Sequence, residues 1–315
     1  MKRFLPLLLS LALLLSAMTG CAPRGKYSAD FYLFDTYCSL TGYAVRKDDF
    51  ESAFRGLVDT LTVFHEETDI YHEYDIPGLA LLNRMAGREP VALSAQLMDF
   101  LSYAKEAYTV SGAKVNVMLG AVTALWHETR ESGILPTEEA LKSASELTDP
   151  DLLVLTETTA YIAREGARID VGALAKGYAG RLAKAYLQNA GLCDYILNLG
   201  GTIVTGGTPA GTGRTQFTVG IQDPSGEGLI DSVSAAGGTC FATSGDYQRC
   251  IEIGGTRYHH LIDPDTLFPS AYQHSVTVVC DDPALADLLS TALFMMTDEE
   301  GRALAAGLGA KVYYH

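Results

Sequence analysis

The sequence predicts a mixed α+β fold with largely antiparallel sheets and helices packed on the outside. Segments with strand character alternate along the chain with segments in which apolar residues recur at helical spacing. Strand-rich stretches dominate the second half, where glycine-containing turns separate short apolar runs. Hydrophobic residues make up 48% of the 315 residues, and a chain of this length and composition can bury one large core or two small lobes.

The first half contains one predicted strand region and three predicted helices. Residues 31–45 have strand character. Ser94 is a suitable N-cap for a helix, and Gly112 stands where glycine favours helix termination. Helical spacing predicts helices over residues 48–68 and 93–111, and the acidic segment 138–151 is expected to carry a short surface helix.

The first twenty residues have the pattern of a secretory signal. Basic residues precede an apolar run from Phe4 to Met18, which is shorter than the roughly 20 residues of a membrane-spanning helix. The run ends in small residues before Cys21, as in bacterial lipoproteins, where the cysteine receives a lipid; an ordinary exported protein cut nearby is the alternative. We expect a signal peptide over residues 1–20, a tether over 21–30 and one domain over 31–315.

The chain is strongly acidic. Its formal net charge is −15, and removal of the signal, which contains Lys2 and Arg3 but no acidic residue, makes it −17. A surface of this charge repels phosphate backbones, so we expect no nucleic-acid partner. A single nucleotide is not excluded, because backbone amides and a metal ion hold small anions over a few ångströms.

The segment from Arg168 to Tyr178 has the pattern of a strand, a glycine turn and the start of a helix. Backbone N–H groups at a helix start, with Lys176 beside them, form a favourable site for a phosphate. A glycine-rich packing turn is the alternative, because the segment matches neither the G-x-x-x-x-G-K-[ST] loop nor G-x-G-x-x-G.

A buried-type strand follows from Tyr195 to Leu199 and ends in Gly200 and Gly201. Paired glycines allow a flat ligand to approach the backbone. Residues 206–213 are then expected to form a flexible surface loop.

The densest group of reactive side chains lies between Cys240 and Pro264. An apolar run ends in the sequence Thr243-Ser244-Gly245-Asp246, which predicts a strand that delivers hydroxyls and a carboxylate to a turn. After Gly254-Gly255, residues 257–264 are predicted to form the second strand of a hairpin. Both arms would then end near each other.

A helix is expected to start after Asp282-Pro283 and to carry Asp287 and Thr291 four residues apart. At this spacing both side chains lie on one face, where a carboxylate and a hydroxyl present two hard oxygen donors suited to magnesium. The alternative is a solvated helix face with a local hydrogen bond.

In order, spacing and identity these segments resemble the ApbE family of FAD:protein FMN transferases. The resemblance covers nearly the whole chain after the signal, and the ordered set carries it rather than any one motif. The matching segments are Phe34–Thr36, Tyr71–Asn83, Gly112–Trp126, Asp170–Tyr178, Asn198–Gly201, Thr243–Tyr247, His260–Pro264, Ser275–Thr277 and Ala286–Ala292.

The resemblance implies a flavin transferase domain over residues 31–315, with an ApbE-like fold and FAD in a cleft between two lobes. It implies Mg²⁺-dependent transfer of FMN from FAD to a Thr or Ser hydroxyl of a target flavoprotein, with a phosphoester formed and AMP released. An FAD pyrophosphatase and a non-catalytic flavin-binding lipoprotein are the alternatives. The implied partners are FAD and extracytoplasmic flavoprotein subunits of membrane electron-transport complexes, which a lipid-anchored enzyme on the extracytoplasmic face of the cell membrane would meet.

The resemblance also implies roles for individual residues. His260 is the candidate general base for the acceptor hydroxyl, with Asp246 as the second candidate. The metal ligands implied are Asp287, Thr291 and the backbone carbonyl of Ala173. The residues implied to contact FAD are Phe34, Tyr71, Asn116, Asp170, Lys176, Thr243, Ser244, Gly245 and His260.

Four departures from the family pattern stand out. Phe34 and Asp35 replace the methionine and glycine of an M-G-T start. Val115-Asn116-Val117-Met118 stands in the common G-x-F-D-x-T segment and lacks its carboxylate and hydroxyl. Leu267 replaces the glycine of D-P-x-T-G, and Arg181 occupies an often acidic position. The metal pair, Lys176 and His260 are retained, so an active enzyme is expected.

Overall fold

The computed structural model describes residues 24–226, 228–247 and 249–315, so the predicted signal peptide and Cys21 lie outside the described residues. The predicted mixed α+β class is confirmed. The strands are β1 (Gly25–Leu33), β2 (Thr36–Ala44), β3 (Val91–Ala92), β4 (Leu153–Leu155), β5 (Thr159–Ile162), β6 (Tyr195–Leu199), β7 (Thr202–Gly206), β8 (Phe217–Gln222), β9 (Leu229–Ala235), β10 (Cys240–Gly245), β11 (Ile251–Ile253), β12 (Thr256–Tyr258), β13 (Ser275–Cys280) and β14 (Lys311–Tyr314). The α-helices are α1 (Lys47–Thr68), α2 (Leu79–Arg84), α3 (Ala95–Val110), α4 (Gly120–Ser132), α5 (Glu138–Ser145), α6 (Ala175–Asn189), α7 (Pro283–Phe294) and α8 (Asp298–Gly307).

A seven-stranded sheet in the order β1-β2-β6-β7-β10-β13-β14 organises the fold. Each neighbouring pair in it is antiparallel. Helices α1, α6 and α7 pack beside one another against one face. On the other face the hairpin β8–β9 contributes Val219, which clusters with Phe241 and Val279 of the large sheet. The main core therefore lies on the helical side.

The predicted strand region 31–45 is confirmed as the hairpin β1–β2. Its turn residues Phe34 and Asp35 have φ of 54° and 53°, the left-handed backbone that two-residue hairpin turns require. Asp35, which replaces a family glycine, thus adopts a conformation that glycine adopts more easily. The strand begins at Gly25, so six of the ten residues predicted as a tether belong to the sheet.

The three predicted helices of the first half are also confirmed. Helix α1 buries a stripe that includes Phe50, Leu57, Leu61 and Phe64, which is the amphipathic pattern of a helix packed on a sheet. The hydroxyl of Ser94 accepts a hydrogen bond from the backbone N–H of Leu97 at 3.0 Å and caps α3. The third prediction corresponds to the short helix α5.

The strand predicted at the start of the 168–178 segment is not formed. Residues 168–171 are extended without strand pairing. The side chain of Asn83 takes the place of a partner strand, because its oxygen accepts from the Ile169 N–H at 2.7 Å and its nitrogen donates to the Ile169 carbonyl at 3.0 Å. The side-chain amide of Asn83 thus satisfies backbone hydrogen-bonding groups in a segment whose sequence has the pattern of a strand.

The hairpin predicted within residues 240–264 is only partly correct. The turn at Gly254-Gly255 does join two strands, but these are the short β11 and β12. Strand β10 lies inside the large sheet between β7 and β13. Residues 259–264 leave the strand because the His259 ring binds the backbone itself: Nε2 lies 2.8 Å from the Ser270 carbonyl, and Nδ1 accepts from the Leu261 N–H at 3.2 Å.

Helices α6 and α7 make an unusually close contact that depends on two glycines. A Cβ at Gly177 would lie 2.4 Å from the Cβ of Asp287, and a Cβ at Gly180 would lie 2.8 Å from the Cβ of Pro283. The absence of side chains at these positions lets the start of α7 lie directly on α6. This contact fixes where Asp287 is held.

An ion pair reinforces the contact between α6 and α7. Nε of Arg181 donates to Oδ1 of Asp282 at 2.7 Å, Nη2 binds the other carboxylate oxygen, and the guanidinium lies 4.5 Å from the centre of the Tyr103 ring. Asp282 also caps α7 by accepting from the Ala284 N–H at 3.0 Å. The departure at Arg181 is therefore matched by a partner within this chain.

None of the described helices is long and apolar enough to cross a membrane.

Substitution of Gly177 by alanine is expected to lower the free energy of unfolding by about 1–3 kcal/mol, because the new methyl group overlaps Asp287 and the backbone of α7. Chemical denaturation measured by circular dichroism tests this expectation. Gly307→Ala is the matched control, since a Cβ at that position meets nothing within 4 Å. Equal stabilities of the two variants would show that the α6–α7 contact tolerates a side chain.

The Arg181–Asp282 pair predicts a pH dependence. Burial alone raises the pKa of Asp282, but the hydrogen bond and charge of Arg181 hold this pKa below its usual range. This carboxylate therefore contributes stability that is present above the unfolded pKa of about 3.9 and is lost as the pH falls through the lower folded value.

Asp282→Asn keeps a capping side chain but loses the charge. The free energy of unfolding of this variant should be lower than that of the wild type. The difference should be constant from pH 7 to about pH 5 and shrink at lower pH. Asp59→Asn on the exposed side of α1 is the control. A deficit that persists unchanged to pH 3 would contradict the ion-pair assignment.

Candidate active site

A cavity of about 1030 Å³ opens between the large sheet with its helices and the segment that carries α4. It lies where the β1–β2 turn, the end of α1, the start of α6, the end of β10 and one face of α7 meet. The sequence-predicted residues that line it are Phe34, Tyr71, Asn116, Asp170, Ala173, Lys176, Thr243, Ser244, Gly245, His260, Asp287 and Thr291. Segments far apart in the sequence thus converge on one space.

Asp287 and Thr291 lie on the face of α7 that borders the cavity, where their exposures are 5% and 6%. The alternative of a solvated helix face is therefore wrong. Oδ2 of Asp287 accepts from the Gly177 N–H at 2.7 Å, and Oδ1 accepts from the Thr202 hydroxyl at 3.2 Å. The carboxylate thus sits against the positive N-terminal end of α6.

The turn before α6 supplies the groups that could bind a phosphate. Leu174 provides no side-chain cap for the helix, and the N–H groups of Ala175 and Gly177 are bonded to the Val171 carbonyl and to Asp287. The positive end of the helix dipole still faces the cavity and favours an anion there. Lys176 lies on the first helical turn and lines the cavity, and among the described residues its ammonium has no ion-pair partner. The Asp170 carboxylate braces this turn by accepting from the Gly172 N–H at 2.9 Å and the Thr123 hydroxyl at 2.7 Å.

The donor set around Asp287 suits one kind of metal. Within the described ranges no group of three or more His, Cys, Asp or Glu side chains is placed to hold an ion, as a structural zinc site requires. The cavity instead offers one carboxylate from Asp287, one hydroxyl from Thr291 and the backbone at Ala173. A set with few protein oxygens fits Mg²⁺, which completes its shell with phosphate oxygens and water.

His260 also lines the cavity. Burial, together with the nearby cations Lys176 and Arg249, lowers the pKa of His260 to about 3. The ring is therefore neutral at physiological pH, with one of its two nitrogens unprotonated. The neighbouring His259 has a different role, since both of its ring nitrogens bind backbone and burial lowers its pKa.

Asp246, the second candidate base, does not line the cavity. Its carboxylate lies 2.7 Å from Nδ1 of His274 and 3.8 Å from Arg257, and its backbone N–H donates to the His274 carbonyl at 3.1 Å. These contacts hold the turn after β10. The prediction of Asp246 as a base is corrected to a structural role, because a base must reach the proton it removes.

Several predicted binding residues also have contacts within the protein. The Asn116 oxygen accepts from the Met118 N–H at 2.9 Å, and its nitrogen donates to the Thr148 carbonyl at 2.7 Å. The hydroxyl of Thr243 lies 2.9 Å from that of Thr277. Ser244 bonds to Ser290 at 2.9 Å on α7. These side chains therefore shape the cavity wall.

Leu267, which stands in place of a family glycine, has φ of 62°, a conformation that is costly for a residue with a branched side chain. Its carbonyl accepts from the Trp126 indole at 2.8 Å. Its side chain packs against the cluster around Trp126. The packing offsets part of the backbone strain, which explains how leucine occupies this position.

Three basic residues at the cavity were missed by sequence reasoning. Lys114 is held by Asp263 at 3.0 Å and by Asp265 at 2.7 Å. Arg130 on α4 and Arg249 after β10 also line the cavity. Helical spacing places Arg130 on the same side of α4 as His127 and Thr123, but the sequence contains no signal that this side faces the 243–245 strand end.

Comparison with known proteins identifies the family to which the chain belongs. Residues 34–314 match the model of the ApbE family. A FAD:protein FMN transferase of Treponema pallidum is 31% identical over 93% of this chain and 86% of its own, and one of Klebsiella pneumoniae is 30% identical over 77% and 73%.

Among solved structures, the ApbE protein of Thermotoga maritima aligns with a TM-score of 0.83 over 92% of this chain and 94% of its own. Its 22% identity supports the fold alone. The family match extends over most of the chain, through the β1–β2 turn, the start of α6 and the acidic face of α7. On these findings, the chain belongs to the ApbE family.

Proposed function

We propose that this chain transfers FMN from FAD to a Thr or Ser hydroxyl of a target flavoprotein. The observation that carries the proposal is one cavity in which a helix N-terminus with Lys176, the oxygen donors Asp287 and Thr291, and a neutral His260 converge. Its volume of about 1030 Å³ is at the upper end of ordinary ligand pockets, as a dinucleotide requires. The chain's ApbE family membership supports the same reaction.

The reaction breaks a phosphoanhydride bond of FAD and forms a phosphoester with the acceptor hydroxyl. The acceptor hydroxyl oxygen attacks the phosphorus of the FMN half, the bond from that phosphorus to the bridging oxygen breaks, and AMP leaves. Lys176 and the positive N-terminal end of α6 would hold the pyrophosphate in line with the hydroxyl. Asp287, Thr291 and the Ala173 carbonyl would hold Mg²⁺, which would neutralise charge on the phosphates.

His260 would receive the proton of the acceptor hydroxyl. Its pKa of about 3 makes it a weak base in the absence of substrate. Anionic phosphates bound beside it would raise its pKa, which brings it closer to the range in which a general base works best. Phe34 and Tyr71 supply aromatic surface for the ring systems of FAD at the open side of the cavity.

The decisive experiment incubates residues 22–315 with FAD, Mg²⁺ and an acceptor domain of the family type, and follows acceptor mass and AMP. A mass gain equal to FMN on a Thr or Ser, with AMP released, would establish the transferase. AMP with an unmodified acceptor would favour FAD hydrolysis. Bound FAD with neither product would favour a flavin-binding protein.

Asp287→Asn is expected to abolish Mg²⁺-dependent AMP release, with a loss of at least about 100-fold in kcat. The asparagine oxygen can still accept from the Gly177 N–H, so the fold is preserved. Asp59→Asn is the matched control for loss of one carboxylate. Full activity of Asp287→Asn in Mg²⁺ would exclude Asp287 as a metal ligand.

His260→Gln is expected to lower kcat by about 10²- to 10⁴-fold, the usual contribution of a general base. FAD affinity, measured by flavin fluorescence, should change much less than kcat. His274→Gln provides the control, because that ring is exposed and binds Asp246 away from the cavity. A large loss of FAD affinity with little loss of kcat would instead make His260 a binding residue.

For localisation we propose that Cys21 is lipidated and that the enzyme is anchored at the extracytoplasmic face of the membrane. The support is the sequence pattern of residues 1–21. There the chain would meet extracytoplasmic flavoprotein subunits of membrane electron-transport complexes.

Cys21→Ala is expected to move the protein from the membrane fraction to the soluble extracytoplasmic fraction, because a lipid is needed to hold it at the membrane. Fractionation with metabolic fatty-acid labelling measures this. Cys193→Ala, which removes an exposed cysteine elsewhere, is the control. Equal labelling of the wild type and Cys21→Ala would rule out this site.

A further inference from the structure

Two arginines that face the cavity are not used by the proposed chemistry. Arg130 projects from α4, and Arg249 lies in the turn that follows β10. In the part of the chain that the structure describes, the Arg130 guanidinium makes no hydrogen bond or ion pair. A half-buried guanidinium without an acceptor is unfavourable, because it has lost water without gaining a partner.

The β1–β2 turn holds Arg249 in place at the open side of the cavity. Its Nη2 donates to the Asp35 carboxylate at 3.0 Å and to the Asp35 carbonyl at 3.2 Å. The Tyr32 hydroxyl donates to the other Asp35 oxygen at 2.8 Å. Among the described residues these contacts occupy one nitrogen of Arg249, Nη2, which leaves its other N–H groups to bind a further acceptor.

The two arginines affect each other. Both line the same cavity, where burial and the charge of Arg249 lower the pKa of Arg130, although Tyr71 and Asp170 act in the opposite direction. Such an arrangement costs free energy unless an anion lies between them. The chain as a whole carries a net charge of −15, so this basic pair is a local feature of the cavity mouth.

We propose that Arg130 and Arg249 form a second anion-binding subsite at the mouth of the cavity, separate from Lys176 on α6, that takes carboxylate or phosphate oxygens. Arginine suits both ligands because its planar donors bind two oxygens at once. The subsite lies next to Tyr71 and Asp35, whose side chains are 64% and 79% exposed.

Two sources of the anion fit this chemistry. One is an acidic side chain next to the Thr or Ser of the acceptor, a source that rests on the proposed function. The other is a phosphate of the bound nucleotide. The exposed position favours the acceptor, because the nucleotide phosphates already have the α6 N-terminus and Lys176 as partners.

The test uses the full-length chain in detergent and measures two affinities directly. FAD affinity is followed by flavin fluorescence. Acceptor affinity is followed by fluorescence anisotropy of two labelled peptides that differ only in Asp or Asn beside a threonine. The variants are Arg130→Gln and Arg130→Lys, and Arg55→Gln on the exposed side of α1 is the matched control.

If the acceptor is the source, Arg130→Gln weakens binding of the Asp peptide about 10- to 100-fold, the size of one charge-assisted hydrogen bond. The Asn peptide and FAD are then unaffected, and Arg130→Lys restores part of the affinity. If the nucleotide is the source, the same loss appears for FAD instead.

Affinities for FAD and both peptides within twofold of the Arg55→Gln control would overturn the proposal. These readouts do not depend on turnover. A failure of the proposed transferase activity would therefore leave a loss of FAD affinity in Arg130→Gln as support for the subsite. Normal transferase activity with unchanged affinities would refute the subsite while the proposed function stands.

Discussion

The close contact between α6 and α7 is the constraint on which the rest of the site depends. Because Gly177 has no side chain, the Asp287 carboxylate reaches the N–H of Gly177 at 2.7 Å. One interaction therefore satisfies an N–H at the start of α6, neutralises part of the helix dipole and places a carboxylate in the cavity. Stability and ligand binding share the same atoms at this point.

The arrangement has a cost that a bound ligand can offset. Asp287 is 5% exposed and Lys176 on the adjoining helical turn has no carboxylate partner among the residues described. Charged groups left partly unpaired in a cavity are unfavourable, and they are typical of sites that bind an ion or a charged substrate. A pyrophosphate with a divalent cation supplies the opposite charges for both groups at once.

The sequence was sufficient for the parts of the fold that depend on local physics. Helices α1 and α3 follow from apolar spacing and from the cap at Ser94, and the start of α7 follows from Asp282-Pro283. The segment before α6 was predicted as a strand and is not one, because Asn83, 86 positions away, takes the place of a neighbouring strand. Such a pairing of a side chain with a distant backbone has no local signal.

The residues of the candidate site likewise divide into those with a local sequence signal and those that depend on distant packing. Most of the residues predicted from the ordered motifs line one cavity, since each motif lies at the end of an element that borders it. Asp246 was misassigned because its neighbours Thr243 and Ser244 line the cavity, whereas the backbone turns after Gly245 and directs this carboxylate to His274. Arg130 was missed because only the packing of α4 against the rest of the chain brings it to the mouth.

The proposed reaction has two requirements, cleavage of the pyrophosphate and selection of the attacking hydroxyl, which concern different parts of the cavity. In the proposed reaction the groups at the α6–α7 contact would act on the pyrophosphate, and they would serve water and a protein hydroxyl equally well as attacking species. The choice between hydrolysis and transfer must therefore depend on what occupies the open side. Tyr71, Arg130 and the Asp35–Arg249 pair line the cavity there, and under the proposed function they would form the surface that an incoming protein meets. A segment bound on that surface would exclude water and position its hydroxyl at the same time.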